Sequence, residues 1–321
     1  MIKILILGSN FGSEAYLKAL DKISIKKDIT ISSPNILKKK INYLRLKKNK
    51  NYKKLIKKNI YDLIICATTP KIQNQFLDFF FNIHKYKRIK TRLMLEKPLS
   101  YNFNNIFKII EKLKKKKIFF NQNYIFPKID VWSKFCKFIL KKKVSKINYT
   151  WKFRQAYFIN KKKTWKTDHD KGGGIILYYM SHIIFNLLKI DKRIYFDKII
   201  LLEKTNNFIT RIKLSLRLQK IKVIVDININ SLKTYHKLEA IEVNQKKHML
   251  QNSTKDWTKN FELISEKKII KKTIDSRVDL TKKNINELIK FNTKKNDYKE
   301  FLNTVRKSYK FLQIIEKNIY V

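Results

Sequence analysis

Glycine and proline are scarce in this chain, at 5 and 4 of 321 residues, where an average chain carries roughly 7% and 5%. A chain this poor in both keeps them for places where backbone must turn at positive φ, where a ligand comes close or where φ must be fixed. The glycines fall at two places, Gly8 with Gly12 and the consecutive Gly172, Gly173 and Gly174. These are the first candidates for a site. Cysteine is rarer still: Cys66 and Cys136 are the two in the chain. They have no metal-ligand spacing and imply no disulfide framework, so a reducing cytoplasm is the expected compartment. Long apolar runs are also lacking. Residues 4–7 are too few for a signal-peptide core, and the longest apolar stretch, 175–188, carries Ser181 and His182 and falls short of a membrane span.

Acidic residues are few, 25 against 74 Lys+Arg, which gives a net charge of +49. Such a charge raises a polyanionic partner. Two observations weigh against nucleic-acid binding as the main function. Nine of the basic residues are arginine, the side chain suited to bidentate guanine contacts. The lysine runs, at 38–40, 47–58, 112–117, 137–143 and 161–163, are spread along the chain as solvated faces would be. Lysine also shares A/T-rich codons with the abundant asparagine, isoleucine, phenylalanine and tyrosine, so the charge is readable as a nucleotide bias. A small acidic or phosphorylated ligand fits better than a nucleic acid.

The length suggests two domains. Residues 2–7 read as a buried strand, 8–12 (GSNFG) as a turn and 14–20 as an amphipathic helix. Strand, tight turn and helix open a nucleotide-binding βαβ unit, whose turn holds a pyrophosphate on backbone N–H groups at the helix N-terminus. The glycine pattern is degenerate: Asn10 and Ser13 stand where further glycines are usual, and asparagine tolerates left-handed backbone. A second strand, 28–33, ends in Ser32 and Ser33 with Lys38, Lys39 and Lys40 beyond, and offers no carboxylate for the ribose hydroxyls. That favours a 2′-phosphate, and so NADP(H) over NAD(H). Residues 62–68 (DLIICAT) are apolar without alternation, as for a strand covered on both faces. Thr69 and Pro70 end it, and a helix follows over 73–81. Strand 92–95 runs into Glu96, Lys97 and Pro98, at the sheet edge where open α/β folds bind ligands; the bond before Pro98 is a candidate cis peptide. A helix over 104–115 and a strand over 118–120 precede the crossing at 121–127.

Beyond residue 121 the pattern changes. A strand over 146–153 and a loop over 164–171 lead to the triple glycine and a buried helix. Tyr178, His182 and Asn186 are four apart and share one helical stripe. A hydrogen-bonded core histidine partnered by Tyr178 explains that stripe as well as a catalytic one does. Strict alternation at 212–218, 223–229 and 238–243 predicts an antiparallel sheet with one wet face. Asp168, His169 and Asp170 look like a metal cluster, but adjacent residues rarely converge on one ion, so no metal is expected. Of Trp132, Trp151, Trp165 and Trp257, Trp165 alone lies in the candidate substrate loop.

These pieces resemble, in order and over nearly the full length, the Gfo/Idh/MocA family of NAD(P)-dependent oxidoreductases, which includes glucose-fructose oxidoreductase and inositol dehydrogenase. The likeness lies in GSNFGSEAYLKAL at 8–20, DLIICATTP at 62–70, LEKPLS at 95–100, and TWKTD, GGG and SH within 164–182. It implies an N-terminal Rossmann domain with a parallel sheet, expected over 1–121. A C-terminal α+β domain with a mostly antiparallel open sheet, often used for oligomerisation, is expected over 122–321, with a closing helix at 300–319. It also implies that Lys97 and His182 meet at the nicotinamide, the histidine as base for a hydroxyl proton and the lysine steadying the substrate oxygen. Tyr178 stands where the family usually has aspartate, Phe185 replaces another, and Gln73 replaces a frequent histidine. The Tyr178 hydroxyl is then expected to bond His182 or the substrate. The cofactor-binding candidates are Gly8, Asn10, Phe11, Gly12, Ser32, Ser33, Thr68, Thr69, Pro70, Glu96 and Lys97. The substrate candidates are Tyr124, Trp165, Lys166, His182 and Asn186. The expected activity is hydride transfer between NADP or NAD and a sugar, polyol or nucleotide-sugar-like substrate. The alternatives are a catalytically weak dinucleotide-binding protein of the same fold and a basic nucleic-acid-associated protein.

Overall fold

The computed structural model describes residues 1–8, 11–33, 47–49, 51–84, 91–160, 164–205, 208–252, 260–273, 276–290 and 295–320. The chain forms two compact units, one of residues 1–123 with 278–300 and the other of 124–277 with 301–321.

The first unit is a parallel sheet of six strands, β1 (Ile2–Leu7), β2 (Lys27–Ser32), β3 (Lys47–Asn49), β4 (Leu63–Cys66), β5 (Arg92–Leu95) and β6 (Phe120–Gln122), in the order β3-β2-β1-β4-β5-β6. That is the doubly wound dinucleotide-binding order. Every residue of β4 is buried, as the unbroken apolar run predicts. Four helices fall between the strands: α1 (Phe11–Asp21), α2 (Tyr52–Lys58), α3 (Pro70–His84) and α4 (Phe103–Lys115). α4 shows why they form where they do. The Asn102 side chain accepts from the Asn105 N–H at 2.9 Å, an N-cap; Phe103, Ile106, Ile109, Ile110 and Leu113 make a buried stripe; and Lys112, Lys114 and Lys115 complement the C-terminal dipole.

Two expectations are corrected here. The last strand lies two residues later than 118–120, because β6 includes the polar but buried Asn121 and Gln122. Its register is set by Leu93 opposite Phe120 and Leu95 opposite Gln122. The division at 121 is not a single cut, since residues 278–300 return to the first unit. They cover the β6 edge, which would otherwise expose unpaired backbone. Asn284 donates to Asn123 at 3.0 Å, Asn121 donates to the Asn284 carbonyl at 3.2 Å, and the Tyr298 hydroxyl donates to the Ile118 carbonyl at 3.0 Å.

The second unit is built on eight strands: β7 (Val144–Arg154), β8 (Tyr195–Thr205), β9 (Phe208–Leu218), β10 (Ile221–Asn228), β11 (Asn230–Glu242), β12 (Lys247–Asn252), β13 (Phe261–Ser265) and β14 (Lys268–Thr273). Their order is β14-β13-β12-β11-β7-β10-β9-β8, antiparallel throughout except for β7 with β10. Alternation becomes a continuous buried row: Leu214, Val225, Tyr149, Leu238, Leu250 and Leu263 are successive partners across six strands. The opposite face carries charge, with the Arg211 guanidinium on both oxygens of Asp226 at 3.0 and 3.1 Å and Lys237 on Glu239 at 3.2 Å. Helices α5 (Asp130–Lys141), α6 (Ala156–Asn160) and α7 (Ser181–Ile190) belong to this unit. The returning helix Arg277–Lys290 is α8, and α9 runs over Lys295–Ile319, starting five residues before the expected 300. Among the described residues, no helix is long and apolar enough to cross a membrane.

Candidate active site

In the first unit the register aligns strand ends. Asn49, Ser32, Leu7, Cys66, Leu95 and Gln122 are successive partners across all six strands, so they form one row at the C-terminal edge of the sheet. Nearly every cofactor-binding candidate in this unit lies on that row or just beyond it: Gly8, Ser32, Ser33, Thr68, Thr69, Pro70, Glu96 and Lys97. Gly8 has φ 115, which glycine alone takes easily, and its N–H donates to the Ser32 carbonyl at 3.0 Å. Three residues later α1 begins, so its first-turn N–H groups open beside this edge. Phe11 and Gly12 lie in that first turn and not in a preceding loop, since the helix starts three residues before the expected 14. Asn10 and Lys38, Lys39 and Lys40 lie outside the described residues, as does Trp257.

β4 hands over to α3 through Thr68, Thr69 and Pro70. The Cys66 thiol and Thr68 hydroxyl are 3.2 Å apart, and burial pushes that thiol up to about 12. Pro70 opens α3, at a position where its missing N–H costs nothing. From the first turn of α3, the fully buried Gln73 reaches the loop after β5. Its amide nitrogen donates to the carbonyls of Glu96 at 3.0 Å, Pro98 at 3.2 Å and Leu99 at 3.0 Å, and its oxygen accepts from the Glu96 N–H at 2.9 Å. One side chain therefore clamps the backbone on both sides of the buried Lys97, and the Lys97–Pro98 bond is cis. The Glu96 carboxylate accepts from the Tyr16 hydroxyl of α1 at 2.7 Å, which ties the same loop to the helix after the glycine turn. Gln73 and Tyr16 are absent from the candidates read from sequence. A glutamine on the buried side of an apolar helix is the signal that would have found the first; Tyr16 reads as an ordinary apolar position.

In the second unit the triple glycine is explained by the chain's own backbone. Gly172 (φ 81) ends a short 3-10 turn over His169–Lys171, and Gly174 (φ 73) precedes a helix. A Cβ on Gly173 would collide with the carbonyl oxygen of Trp165 and with Lys166 and Asp168 backbone. The expected loop at 164–171 is in fact two 3-10 turns, Trp165–Thr167 and His169–Lys171, pressed against the glycines. The helix that follows is π-helical over Ile175–Met180 and becomes α7 at Ser181. The step from Tyr178 to His182 therefore crosses from a π-helical to an α-helical segment, while His182 and Asn186 keep the α-helical spacing. The Tyr178 ring is half-buried, edge-on to Trp165 at 5.2 Å and to Tyr179 at 4.8 Å, with the Lys166 ammonium 5.5 Å from its centre.

His182 is buried among the rings of Phe126, Tyr124 and Trp151, at 5.0, 5.8 and 5.9 Å. Two substrate candidates belong to the interior of this unit. Tyr124 stacks on Phe185 at 3.9 Å, and the fully buried Asn186 donates to the Tyr149 hydroxyl at 3.4 Å, which pairs in turn with His236 Nε2 at 2.9 Å. Burial drives the His236 imidazole down to about 3, so it is neutral. Trp165 and Lys166 stay accessible, while Trp132 and Trp151 are core residues. Two of the triplet at 168–170 are engaged in pairs elsewhere: Asp168 with Lys171, and His169 Nε2 with Glu316 of α9 at 2.8 Å. Among the described residues no group of His, Cys, Asp and Glu is arranged to hold a metal.

The fold is one shared by solved structures of oxidoreductases. No protein-family model matches the chain, and no curated protein matches it. Solved structures do match over nearly the whole chain. A dehydrogenase from Clostridium difficile has a TM-score of 0.72 and 15% identity, covering 98% of this chain and 99% of that one. A myo-inositol 2-dehydrogenase from Lactobacillus plantarum has 0.71 and 13%, covering 99% and 96%. A 3-ketoreductase from Actinomadura kijaniata, solved with NADP and TDP-benzene, has 0.74 and 10%, covering 95% and 94%. At these identities the likeness is one of fold.

Proposed function

We propose that this protein is an NAD(P)-dependent oxidoreductase of the Gfo/Idh/MocA type. It moves a hydride between nicotinamide and a sugar, polyol or nucleotide-sugar-like substrate in the cytoplasm. The observation that carries the reading is the single row of strand ends at which Gly8, Ser32, Ser33, Thr68, Thr69, Pro70, Glu96 and Lys97 gather, beside the α1 N-terminus. A pyrophosphate suits that edge, where backbone N–H groups and a helix dipole supply the positive potential. NADP(H) is the preferred form, since the end of β2 offers Ser32 and Ser33 and no carboxylate. A nicotinamide bound there would take or give the hydride.

The chain's own residues handle the proton and the charge. His182 accepts the hydroxyl proton as the alcohol is oxidised, and returns it in the reverse direction. The Lys97 ammonium steadies the developing negative charge on the substrate oxygen; the Gln73 clamp holds its backbone in place for that. Tyr178, Trp165 and Lys166 bind substrate. Turnover of a panel of sugars and polyols with NADPH or NADP tests the assignment. Lys97→Met and His182→Asn each lower kcat at least a hundredfold while cofactor binding is kept, and Tyr178→Phe lowers it less. Unchanged kcat in the lysine and histidine variants contradicts the assignment.

One observation favours a second reading, a dinucleotide-binding protein with weak chemistry: Tyr178, in the position of the family's aspartate, packs against Trp165. Tight cofactor binding without turnover of any substrate in the panel would select it.

A further inference from the structure

Trp165, Lys166 and Tyr178 form a corner that the hydride chemistry does not require. The two rings meet at 86° with centroids 5.2 Å apart, and the Lys166 ammonium stands 5.5 Å from the Tyr178 ring centre. Both rings are half-buried and Lys166 is exposed, so each presents a face or donors to solvent. The corner is rigid for reasons visible in the backbone. The Thr167 hydroxyl donates to the Thr164 carbonyl at 2.7 Å, the Gly173 N–H donates to the Asp168 carbonyl at 2.8 Å, and the absent Cβ of Gly173 lets Trp165 and Lys166 sit against it. Tyr178 is carried on a π-helical turn, a form concentrated at functional sites.

The charges nearby are already matched. Lys171 is paired with Asp168, and His169 with Glu316. Lys166 differs: among the described residues its partner is a ring, with no carboxylate in an ion pair. A cation–π contact at an exposed site is weak and leaves the ammonium donors available, whereas a phosphate or carboxylate oxygen makes a charge-assisted hydrogen bond. Two crossed aromatic faces suit the apolar face of a sugar ring.

We infer that this corner is a subsite for an anionic sugar, with the ring against Trp165 and Tyr178 and the phosphate or carboxylate on Lys166. The inference rests on the sugar-oxidoreductase reading and narrows it. It gives Tyr178 a specificity role that depends on its ring and not on its hydroxyl.

Ligand-observed NMR titrations of the full chain with glucose, glucose 6-phosphate and glucuronate at moderate salt provide the test. The expected result is that at least one anionic sugar binds about tenfold or more tighter than glucose, the range for a hydrogen bond to a charged group. The tighter of the two identifies phosphate or carboxylate as the natural group. Lys166→Gln removes the preference. Lys220→Gln, in the exposed turn between β9 and β10, leaves it intact and controls for the overall positive charge. Tyr178→Phe keeps the binding and Tyr178→Ala weakens all three sugars, with thermal melting confirming that both variants fold. Equal affinity for glucose and both anionic sugars overturns the inference, and so does an equal loss in the two lysine variants. NADPH titrated into the same samples separates the two claims. Cofactor binding without an anionic preference sinks the subsite alone, and an anionic preference without cofactor binding sinks the oxidoreductase reading alone.

Discussion

Gln73 shows how much one buried amide can determine. It makes four hydrogen bonds to the loop that carries Lys97, three as donor and one as acceptor. Gln73→Leu would leave those backbone groups buried without partners, at about 1–3 kcal/mol for such a loss. The expected outcome is a lower urea midpoint together with weaker NADPH binding. A stability loss with unchanged cofactor affinity would show that the clamp is only structural. Gly173 makes a second residue-scale prediction. Gly173→Ala drives a methyl into the Trp165–Asp168 backbone, and overpacking of this kind costs about 1–3 kcal/mol or more; differential scanning calorimetry should show a lower Tm. The importance of Gly8 and Gly173 was readable from glycine scarcity. The cause at Gly173 was not, because a close approach by the chain's own backbone and one by a ligand leave the same mark in a sequence. The role of Gln73 was hidden for a related reason: nothing in a single sequence says which loop a helix side chain reaches.

At the scale of elements, β1, β5 and the alternating strands β9 and β10 were legible because their patterns match one-sided or two-sided burial directly. β6 was misplaced, since Asn121 and Gln122 are polar yet buried, and Asn121 is paired with a segment more than 150 residues away. The π-helical turn was unreadable, because apolar residues on every side of residues 175–188 carry no periodicity to separate 3.6 from a wider turn. The pairing of His169 with Glu316 ties the 3-10 turns to α9 and carries a pH signature. The Glu316 carboxylate raises the His169 pKa against the opposing effect of burial, and Asp170 adds to the rise. A raised folded-state pKa gives stability that is fully present below the unfolded value of about 6.5 and is lost as pH rises through the folded one. Comparing Glu316→Gln with the parent by urea unfolding should show a stability difference that is largest in mildly acid solution and that shrinks above neutrality. A difference independent of pH would mean the pair is held without charge.

At the scale of the whole molecule, a second histidine acts with the opposite sign. His236 is buried and held down to about 3 by desolvation. The unfolded chain takes up a proton near pH 6.5 that the folded chain refuses, so stability falls as pH drops from there, by on the order of 3 kcal/mol at pH 4. His236→Gln should flatten that acid limb, and an unchanged limb would place the loss with the carboxylates. The two-unit architecture and the antiparallel sheet followed from the change of pattern after residue 121. The return of residues 278–300 did not, because amphipathicity reveals a buried face without naming what covers it. The central claim, a dinucleotide on the strand-end row of the first unit, is tested most directly by fluorescence titration of the full chain with NADPH and NADH at low and moderate salt, beside Gly12→Trp. Saturable binding that survives moderate salt, favours NADPH and is lost in the variant is the predicted result. Binding that salt abolishes equally in both proteins would contradict the account, leaving the +49 charge as the sole attraction.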